Sequence, residues 1–318
     1  MVELVMMLVV QIPCLNEEKT IGLVLKDIPK KIAGVDVIEI QIINDGSSDK
    51  TVDIAKRFGV KRIINHRKTR GLGVSFSDGV EAALKAGADI LVNTDGDNQY
   101  PGKYISDLVE PIVKGKADLV IADRQTKTVK HFSKNKKFLQ GIGSAVVRYL
   151  SGTEVPDAVS GFRAYSREAL LEINPITKFS YCIDTIIQAG KKGLKIVSVP
   201  IVINPPTRKS RLFSSNWQHV FKSSKDLIKM FIVYEPFKTF LTIAVVLVLP
   251  AIFFMTRFLY FYMFVPMEAN GHIQSLIIGS ALLTASVQML ALGILSDMIN
   301  VNRTLSEKIL KHQKENAK

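Results

Sequence analysis

Two long runs of uncharged, mostly apolar residues dominate the last third of the chain. No Asp, Glu, Lys or Arg occurs from Thr239 to Thr256 or from Ala269 to Ser296. A helix needs about 20 consecutive apolar residues to cross the hydrocarbon core of a bilayer, so each run is near the length of one span. The sequence therefore predicts two transmembrane helices joined by a short loop. The alternative, a pair of buried core helices in a soluble domain, is disfavoured because uninterrupted apolar runs of this length are uncommon there.

Basic residues are concentrated before the first run and after the second. The connecting segment from Phe258 to Gly271 contains no Lys or Arg, and its aromatic residues are typical of a membrane interface. Because the cytoplasmic flanks of membrane spans carry an excess of Lys and Arg, both chain ends are predicted to face the cytoplasm. The flanking basic residues are Arg208, Lys209, Arg211, Lys222, Lys225 and Lys229, then Arg303, Lys308, Lys311 and Lys314.

The stretch from Ser214 to Tyr234, just before the first run, has the spacing of an amphipathic helix. Basic residues lie mostly on the face opposite the apolar ones, which favours a helix in the membrane interface with its basic face toward head groups. Packing of this helix on the globular part of the chain is the alternative. The apolar positions are Trp217, Val220, Phe221, Leu227, Ile228 and Phe231.

The first two hundred residues alternate short β-branched runs with helical patterns. This alternation is typical of a parallel sheet that helices cover on both faces. The predicted strands are Leu4 to Ile12, Val37 to Asn44, Arg62 to Ile64, Ile90 to Thr94, Leu119 to Ala122 and Ile196 to Ile203. The predicted helices are Glu17 to Ile28, Asp49 to Phe58, Val74 to Ala86, Lys103 to Lys114, Lys137 to Leu150 and Ile183 to Lys192.

The charge of the chain indicates an anionic partner. The 42 Lys and Arg residues exceed the 29 Asp and Glu residues, which gives a formal net charge of +13. The sequence has neither zinc-finger spacing nor an RNA-binding aromatic signature, and its basic residues are concentrated beside the apolar runs. We therefore expect membrane lipids rather than nucleic acid as the anionic partner.

Polar residues follow several predicted strands, where ligands collect in open α/β sheets. After the fourth strand, Asp95 and Asp97 flank a glycine and could direct their carboxylates, with Gln99, at one hard cation. Mg²⁺ or Mn²⁺ held in this way neutralises the charge of a pyrophosphate leaving group. Asp and Gly also form ordinary turns, which is the alternative for this motif alone.

The end of the second strand and a glycine-containing segment at the start of a helix carry further candidate ligand residues. Asp45 follows the second strand and is assigned to a ligand, as acceptor of hydrogen bonds from a base. Ser47, Ser48 and Asp49 have the composition of a helix N-cap. Gly71 and Gly73 could let backbone amides approach a phosphate, although a loop that begins a helix explains this pair as well.

Five segments occur together in one order and resemble family 2 glycosyltransferases. The closer resemblance is to the branch of dolichyl-phosphate mannose synthases and polyprenyl-phosphate glucosyltransferases, over roughly residues 5 to 215. The segments are Pro13 to Glu18, Asn44 to Thr51, Arg70 to Gly73, Asp95 to Pro101 and Ser160 to Arg163.

This resemblance implies an α/β fold of the Rossmann-like GT-A type and a nucleotide-sugar donor. It places Asp95, Asp97 and Gln99 around the metal, and Arg124 and the segment from Thr207 to Leu212 near phosphates. The final motif of the synthases is matched at Arg211, whereas Arg208 is displaced from its usual position. The residues implied around the nucleotide-sugar are Pro13, Leu15, Glu17, Ile43, Asp45, Asp95, Gly96 and Arg211.

The expected reaction is inverting attack of a lipid phosphate on the anomeric carbon of the sugar. A phosphate monoester has a second pKa near ~6, so the acceptor is already an anion at neutral pH and a strong general base is not obligatory. Asp157 is the best base candidate by position, or it orients a basic residue or the sugar. Asp97 is the other residue assigned to catalysis. The lipid phosphate is assigned to Arg124, Lys137, Arg163 and Arg208.

The predicted organisation has four parts: a cytoplasmic GT-A catalytic domain, a juxtamembrane helix, two transmembrane helices and a basic cytoplasmic tail. They occupy residues 1–213, 214–236, 237–298 and 299–318. A processive polysaccharide synthase is an alternative, but the sequence lacks a Gln-x-x-Arg-Trp motif and two spans are few for a secretion channel. The second alternative is a non-catalytic, membrane-tethered protein that binds a nucleotide-sugar. The sequence does not specify which sugar, nucleotide or polyprenol is used, nor whether the chain forms a homo-oligomer.

Overall fold

The computed structural model describes residues 5–125, 143, 145–175, 181–205, 228–265 and 271–316. The chain forms two compact units, Met1–Lys222 with Ile309–Lys318, and Ser223–Lys308. In the described residues the strands are β1 (Met7–Cys14), β2 (Val37–Asn44), β3 (Arg62–Asn65), β4 (Ile90–Asn93), β5 (Leu119–Asp123), β6 (Arg163–Ser166) and β7 (Ile196–Pro200). The α-helices with defined bounds are α1 (Ile21–Asp27), α2 (Thr51–Arg57), α3 (Leu72–Lys85), α4 (Ile105–Val113), α5 (Arg167–Glu172), α6 (Tyr181–Lys191), α7 (Pro236–Phe264) and α8 (Ile273–Asn316).

The seven strands form one mixed sheet in the order β3-β2-β1-β4-β6-β5-β7. The pairs β1–β2, β1–β4, β2–β3 and β5–β7 are parallel, whereas β6 is antiparallel to both β4 and β5. The prediction of an all-parallel sheet is therefore wrong at β6. This strand was missed because it has four residues and no β-branched run, so its sequence carries little strand signal.

Burial explains why the other strands could be recognised. β4 is buried along its whole length and β1 is buried from Leu8 onward, which fits apolar strands covered on both faces. The strand predicted at Val37 to Asn44 is confirmed with its bounds. The other predicted elements recur with shifted ends, except that the helix predicted from Lys137 lies partly outside the described residues, and α5 was not predicted.

A row of amide side chains crosses the buried interior of the sheet. Gln41 Nε2 donates to Gln11 Oε1 at 2.9 Å, and Gln11 Nε2 donates to Asn93 Oδ1 at 3.0 Å. Asn93 Nδ2 in turn lies 3.0 Å from both the carbonyl oxygen of Gly161 and the hydroxyl of Tyr181. All three amide residues are buried, and each donates to the next group in the row, so the row fixes β2, β1 and β4 against the segment before β6.

The second unit contains α7 and most of α8. Both helices are long and apolar enough to cross a membrane. The segment predicted as a loop from Phe258 is helical through Phe264, because its aromatic residues continue α7 without a break. The predicted tail is also helical, since α8 runs on to Asn316. Most of the predicted juxtamembrane helix lies outside the described residues; from Ile228 to Tyr234 it is helical.

Candidate active site

The loops that follow β1 and β2 are joined by hydrogen bonds at the carboxyl edge of the sheet. Asn16 N donates to Ser47 Oγ at 3.0 Å, and Ser48 N donates to Asn16 Oδ1 at 2.8 Å. Glu17 N donates to Thr51 Oγ1 at 2.8 Å. Asn16 adopts a left-handed conformation with φ of 54°, which asparagine tolerates better than most residues. These bonds fix the two loops that the resemblance assigns to the nucleoside.

The predicted N-cap of α2 is only partly correct. Lys50 occupies the N-cap position and makes no capping bond through its side chain. Ser47 and Ser48 instead bond to the loop after β1, while Asp49 Oδ1 accepts from Thr51 N at 3.0 Å and its Oδ2 accepts from Glu18 N at 3.0 Å. The polar cluster after β2 therefore connects two loops more than it caps a helix.

Asp45 organises the glycine-containing loop before α3. Its Oδ1 accepts from Arg70 N at 2.8 Å, and its Oδ2 accepts from Gly71 N at 2.9 Å. His66 Nδ1 lies 2.7 Å from Asp45 Oδ1, and His66 Nε2 lies 3.0 Å from Asp78 Oδ2. A carboxylate offers about four acceptor positions, so these three bonds leave room for one donor from a ligand.

The Asp95 to Gln99 segment forms a tight turn directly after β4. Within this turn Asn98 has φ of 60°. Gln99 N donates to Asp97 Oδ1 at 3.1 Å, and Gln99 Nε2 donates to Asp97 Oδ2 at 2.8 Å. The predicted metal residues Asp97 and Gln99 are thus in direct contact, and the side chain of Gln99 holds the carboxylate of Asp97 in place.

Close packing places this turn against the end of β1. Thr20 Oγ1 donates to the carbonyl oxygen of Gly96 at 2.7 Å. A methyl group on the Cα of Gly96 would lie 3.0 Å from Cys14 Sγ and 3.3 Å from Glu17 Cγ, so a side chain there would displace one of them. Burial, reinforced by the charges of Glu17 and Asp95, raises the pKa of the Cys14 thiol, which therefore stays protonated at neutral pH.

Asp95 lies beside the segment that precedes β6. A methyl group on Gly161 would be 3.4 Å from both carboxylate oxygens of Asp95 and from the hydroxyl of Tyr181. Because Asn93 bonds to both Gly161 and Tyr181, the amide row of the sheet ends next to Asp95. Asn93 and Tyr181 are contacts that no motif in the sequence indicated.

The oxygen atoms of this turn suit a hard divalent cation. Asp95, Asp97 and Gln99 offer carboxylate and amide oxygens, the ligands that Mg²⁺ and Mn²⁺ prefer. Across the described residues, no group of three or more His, Cys, Asp or Glu side chains is arranged to hold a metal. A cation here would therefore complete its coordination with water and substrate phosphates, which is usual for Mg²⁺.

Asp157 and Arg124 form a buried ion pair after β5. Arg124 Nε lies 2.7 Å from Asp157 Oδ2 and Arg124 Nη2 lies 2.9 Å from Asp157 Oδ1, a bidentate arrangement. The Asp157 side chain is 4% exposed and that of Arg124 is 15% exposed. Burial opposes ionisation of Asp157, but the hydrogen bonds and charge of Arg124 outweigh it and hold the pKa of Asp157 below its ordinary value. Of the three roles considered for Asp157, namely general base, orientation of a basic residue and orientation of the sugar, this geometry favours orientation of a basic residue.

Arg163 is fully buried inside the first unit. Its guanidinium donates to the carbonyl oxygens of Ser160 at 2.7 Å, Cys182 at 2.6 Å and Ala158 at 2.9 Å. A further bond of 2.7 Å joins it to Thr185 Oγ1. This arrangement disfavours direct contact between Arg163 and a lipid phosphate, because the donors are turned inward. The residue instead ties the segment before β6 to α6.

The remaining predicted residues fall into two groups. Pro13 and Ile43 are buried partners in the register of β1 and β2, and Leu15 is half-buried in the loop after β1. Lys137, Arg208 and Arg211 lie outside the described residues. Sequence reasoning missed His66, Asp78 and Asn204, which stand outside the recognised motifs and gave no spacing signal of their own.

A mixed sheet whose carboxyl edge carries a two-aspartate turn, followed by long apolar helices, has the architecture of a GT-A glycosyltransferase with an attached helical region. The chain belongs to glycosyl transferase family 2, whose sequence model matches residues 9–173. The resemblance to this family and to its polyprenyl-phosphate branch is thereby confirmed, and the chain is a glycosyltransferase.

Several known proteins are similar to this chain, among them two curated relatives and one solved structure. A dolichyl-phosphate hexose transferase of Haloferax volcanii is 32% identical, over 58% of this chain and 78% of the relative. A UDP-N-acetylglucosamine–dolichyl-phosphate N-acetylglucosaminyltransferase of Methanococcus voltae is 30% identical, over 60% of this chain and 82% of the relative. The crystal structure of glucosyl-3-phosphoglycerate synthase of Mycobacterium tuberculosis with Mn²⁺ and UDP superimposes with a TM-score of 0.54 at 23% identity. The superposition covers 71% of this chain and 79% of the synthase, which shows a shared fold.

Proposed function

We propose that this chain transfers a hexose or N-acetylhexosamine from a UDP- or GDP-linked donor to dolichyl or another polyprenyl phosphate. The product, a lipid-linked sugar phosphate, would serve as a donor in glycan or glycoprotein assembly. The observation that carries the proposal is the Asp95 to Gln99 turn at the carboxyl edge of a family 2 sheet, in a chain with two membrane-length helices. The two relatives support it because their names specify dolichyl phosphate with a hexose in one case and N-acetylglucosamine in the other.

The donor would bind where the loops after β1, β2 and β4 meet. Pro13, Leu15, Glu17, Ile43 and Asp45 face the nucleoside in this proposal. Asp95, Gly96 and Arg211 act on the donor phosphates and sugar, and Asp95, Asp97 and Gln99 would hold Mg²⁺ or Mn²⁺. When bound, that ion supplies positive charge to the departing nucleoside diphosphate. The contact between Gln99 and Asp97 supports this assignment, since it fixes one carboxylate before the ligand arrives.

The acceptor needs little activation by the protein. Its phosphate has a second pKa near ~6, so an anionic oxygen is available at neutral pH. That oxygen forms a bond to the anomeric carbon on one face while the bond from this carbon to the diphosphate breaks on the other, which inverts the configuration. Asp157 holds Arg124 in the bidentate pair, and we assign Arg124, Lys137 and Arg208 to the lipid phosphate.

The membrane attachment follows from the same chemistry. A polyprenyl phosphate stays in the bilayer, so an enzyme anchored by two spans meets its acceptor at the membrane surface. In this proposal residues 1–213 form a cytoplasmic catalytic domain, residues 214–236 lie in the interface, residues 237–298 span the membrane twice and residues 299–318 return to the cytoplasm. The basic residues on both flanks support that orientation.

A transfer assay with purified full-length protein tests the reaction. Labelled UDP-glucose, UDP-N-acetylglucosamine and GDP-mannose are each incubated with dolichyl or undecaprenyl phosphate and Mg²⁺ or Mn²⁺. We expect label in the organic phase with one donor, and loss of that label with EDTA. Asp97→Ala should lower the rate at least about a hundredfold, since removal of one stabilising group at a reaction centre has effects of this size.

Asp107→Ala is the matched control, because Asp107 is an exposed carboxylate on α4 that does not belong to the turn. It should retain the rate of the unchanged protein. Growing polymer instead of a single transferred sugar would support a processive synthase. Binding of nucleotide-sugar without transfer to any acceptor would support a non-catalytic binder, and either result contradicts the proposal.

A further inference from the structure

The segment after β7 is hydrogen-bonded to the metal-binding turn of the proposed site. Asn204 N donates to the carbonyl oxygen of Gln99 at 2.9 Å, and Asn204 Nδ2 donates to the carbonyl oxygen of Asn98 at 2.9 Å. One asparagine thus satisfies two consecutive carbonyl groups of the turn. Asn204 lies more than 100 positions after Asn98 in the sequence, and no motif recognised in the sequence includes Asn204.

The position of these two carbonyl groups explains why the contact matters. Asn98 is in the left-handed region, with φ of 60°, so the turn reverses sharply between Asp97 and Gln99. Gln99 then directs its backbone and side-chain N–H groups to the two carboxylate oxygens of Asp97. If the carbonyl groups of Asn98 and Gln99 lose these donors, the turn is held less firmly and the angle at which Gln99 meets Asp97 can change.

The segment itself is well anchored, so it can act as a support. Ile201 N donates to the carbonyl oxygen of Asp123 at 2.9 Å and extends the pairing of β7 with β5. Val202 N donates to the hydroxyl of Tyr104 at 3.3 Å, while the residue as a whole is 70% exposed. Asn204 is therefore held by the sheet on one side and bonds to the turn on the other.

We propose that Asn204 is a positioning residue for the metal site, which it serves by holding the Asn98 to Gln99 turn so that Asp97 and Gln99 present their oxygens together. This inference rests on the proposed function, because it takes Asp97 and Gln99 as metal ligands. Asn204 itself touches neither the metal nor the substrate in this proposal. Its contribution is to fix two ligands before the cation and the donor diphosphate bind.

Metal affinity is the property that should respond to substitution. Asn204→Ala removes the side-chain donor and leaves the backbone N–H, so we expect about tenfold weaker binding of Mn²⁺, the size of one lost hydrogen bond of about 1.4 kcal/mol. Asn204→Leu keeps a side chain of similar size and adds no charge, but it offers no donor to the carbonyl oxygen of Asn98. It should bind Mn²⁺ at least as weakly as Asn204→Ala. Val202→Ala, on the same segment, is the matched control.

The measurement is Mn²⁺ binding by electron paramagnetic resonance, on full-length protein in detergent with UDP and, separately, with GDP. In the transfer assay, the Mn²⁺ concentration for half-maximal rate should rise about tenfold in Asn204→Ala while the rate at saturating Mn²⁺ changes less than about twofold. Thermal unfolding without metal should give a melting temperature at most about 4 °C below that of Val202→Ala, because one hydrogen bond that exists without metal is lost. A general structural role would lower the melting temperature and leave the Mn²⁺ affinity unchanged.

Three outcomes separate the possibilities. Weaker Mn²⁺ binding in both Asn204 variants, with the control unchanged, supports the inference. Equal Mn²⁺ binding by Asn204→Ala and Val202→Ala overturns the inference alone and leaves the proposed function standing. If the unchanged protein binds no Mn²⁺ with either nucleotide, the proposed metal site fails and the role of Asn204 fails with it.

Discussion

In this protein, residues of the same chemical type differ in their burial and in their hydrogen-bond partners. Arg124 and Arg163 were both assigned to phosphates from the sequence, yet Arg124 is paired with one carboxylate and Arg163 is surrounded by carbonyl groups. Sequence patterns identify an arginine near a strand end but not the burial of its guanidinium, because its partners come from segments far apart in the chain. The same limit applies to His66, which lies between Asp45 and Asp78.

The buried pair of Asp157 and Arg124 makes a prediction at this scale. Asp157→Asn leaves a largely buried guanidinium without its counter-charge, so we expect the free energy of unfolding to fall by about 3 kcal/mol. Thermal or denaturant unfolding of the full-length protein measures this. In the double variant Arg124→Leu with Asp157→Leu, no buried charge is left unpaired, so stability should be largely recovered while transfer stays impaired. Full transfer activity in the double variant would contradict the assignment of Arg124 to the acceptor phosphate.

The ion pair of Asp157 and Arg124 also determines how the free energy of unfolding should depend on pH. Because the folded-state pKa of Asp157 lies below its ordinary value, the stabilisation is fully present above that ordinary value, near ~4, and is lost as the pH falls through the lower folded-state pKa. We therefore expect Asp157→Asn to remove about the same stability at pH 6 and at pH 8. A destabilisation that changes by more than about 1 kcal/mol across this range would show that Asp157 titrates near neutrality and would restore it as a general base.

At the scale of elements, α7 and α8 pack through small residues at seven-residue intervals. Gly279, Ser286 and Gly293 of α8 are buried, as are Ala244 and Ala251 of α7. Ser286 Oγ donates to the carbonyl oxygen of Ala244 at 2.9 Å. A repeat of seven is the spacing of left-handed helix pairs, and small residues allow helix backbones to approach closely inside a membrane.

Gly279 is the position that tests this packing. A methyl group there would lie 2.7 Å from Met255 Cγ and 3.2 Å from the carbonyl oxygen of Ala251, so Gly279→Leu should force the helices apart and destabilise the pair by about 1–3 kcal/mol. Thermal unfolding in detergent measures the change. Ser280→Leu introduces the same side chain at the adjacent exposed position and should leave the melting temperature unchanged. Equal melting temperatures for the two variants would contradict close packing at Gly279.

For the whole molecule, the sequence predicted what depends on local pattern and missed what depends on distant partners. The buried strands, the two apolar helices and the Asp95 to Gln99 turn each have a continuous signal, and the structure contains all of them. Strand β6 has four residues and pairs with strands on both sides, so only the assembled sheet reveals it. Asn204 and Asn93 likewise gain their roles from carbonyl groups that lie 106 and 68 positions away.

The orientation in the membrane is a prediction that concerns the whole chain. A 29-residue helix is about 44 Å long, whereas the hydrocarbon core is about 30 Å thick, so α7 extends past the core and its aromatic end fits the interface. Since Lys and Arg are absent from the segment Phe258 to Gly271, that segment should lie outside the cytoplasm. A membrane-impermeant maleimide should therefore label Glu268→Cys in intact cells. It should label Thr304→Cys, on the exposed surface of α8, only after lysis. The reverse pattern would place the sheet domain outside the cytoplasm, away from the nucleotide-sugars that the proposed reaction requires.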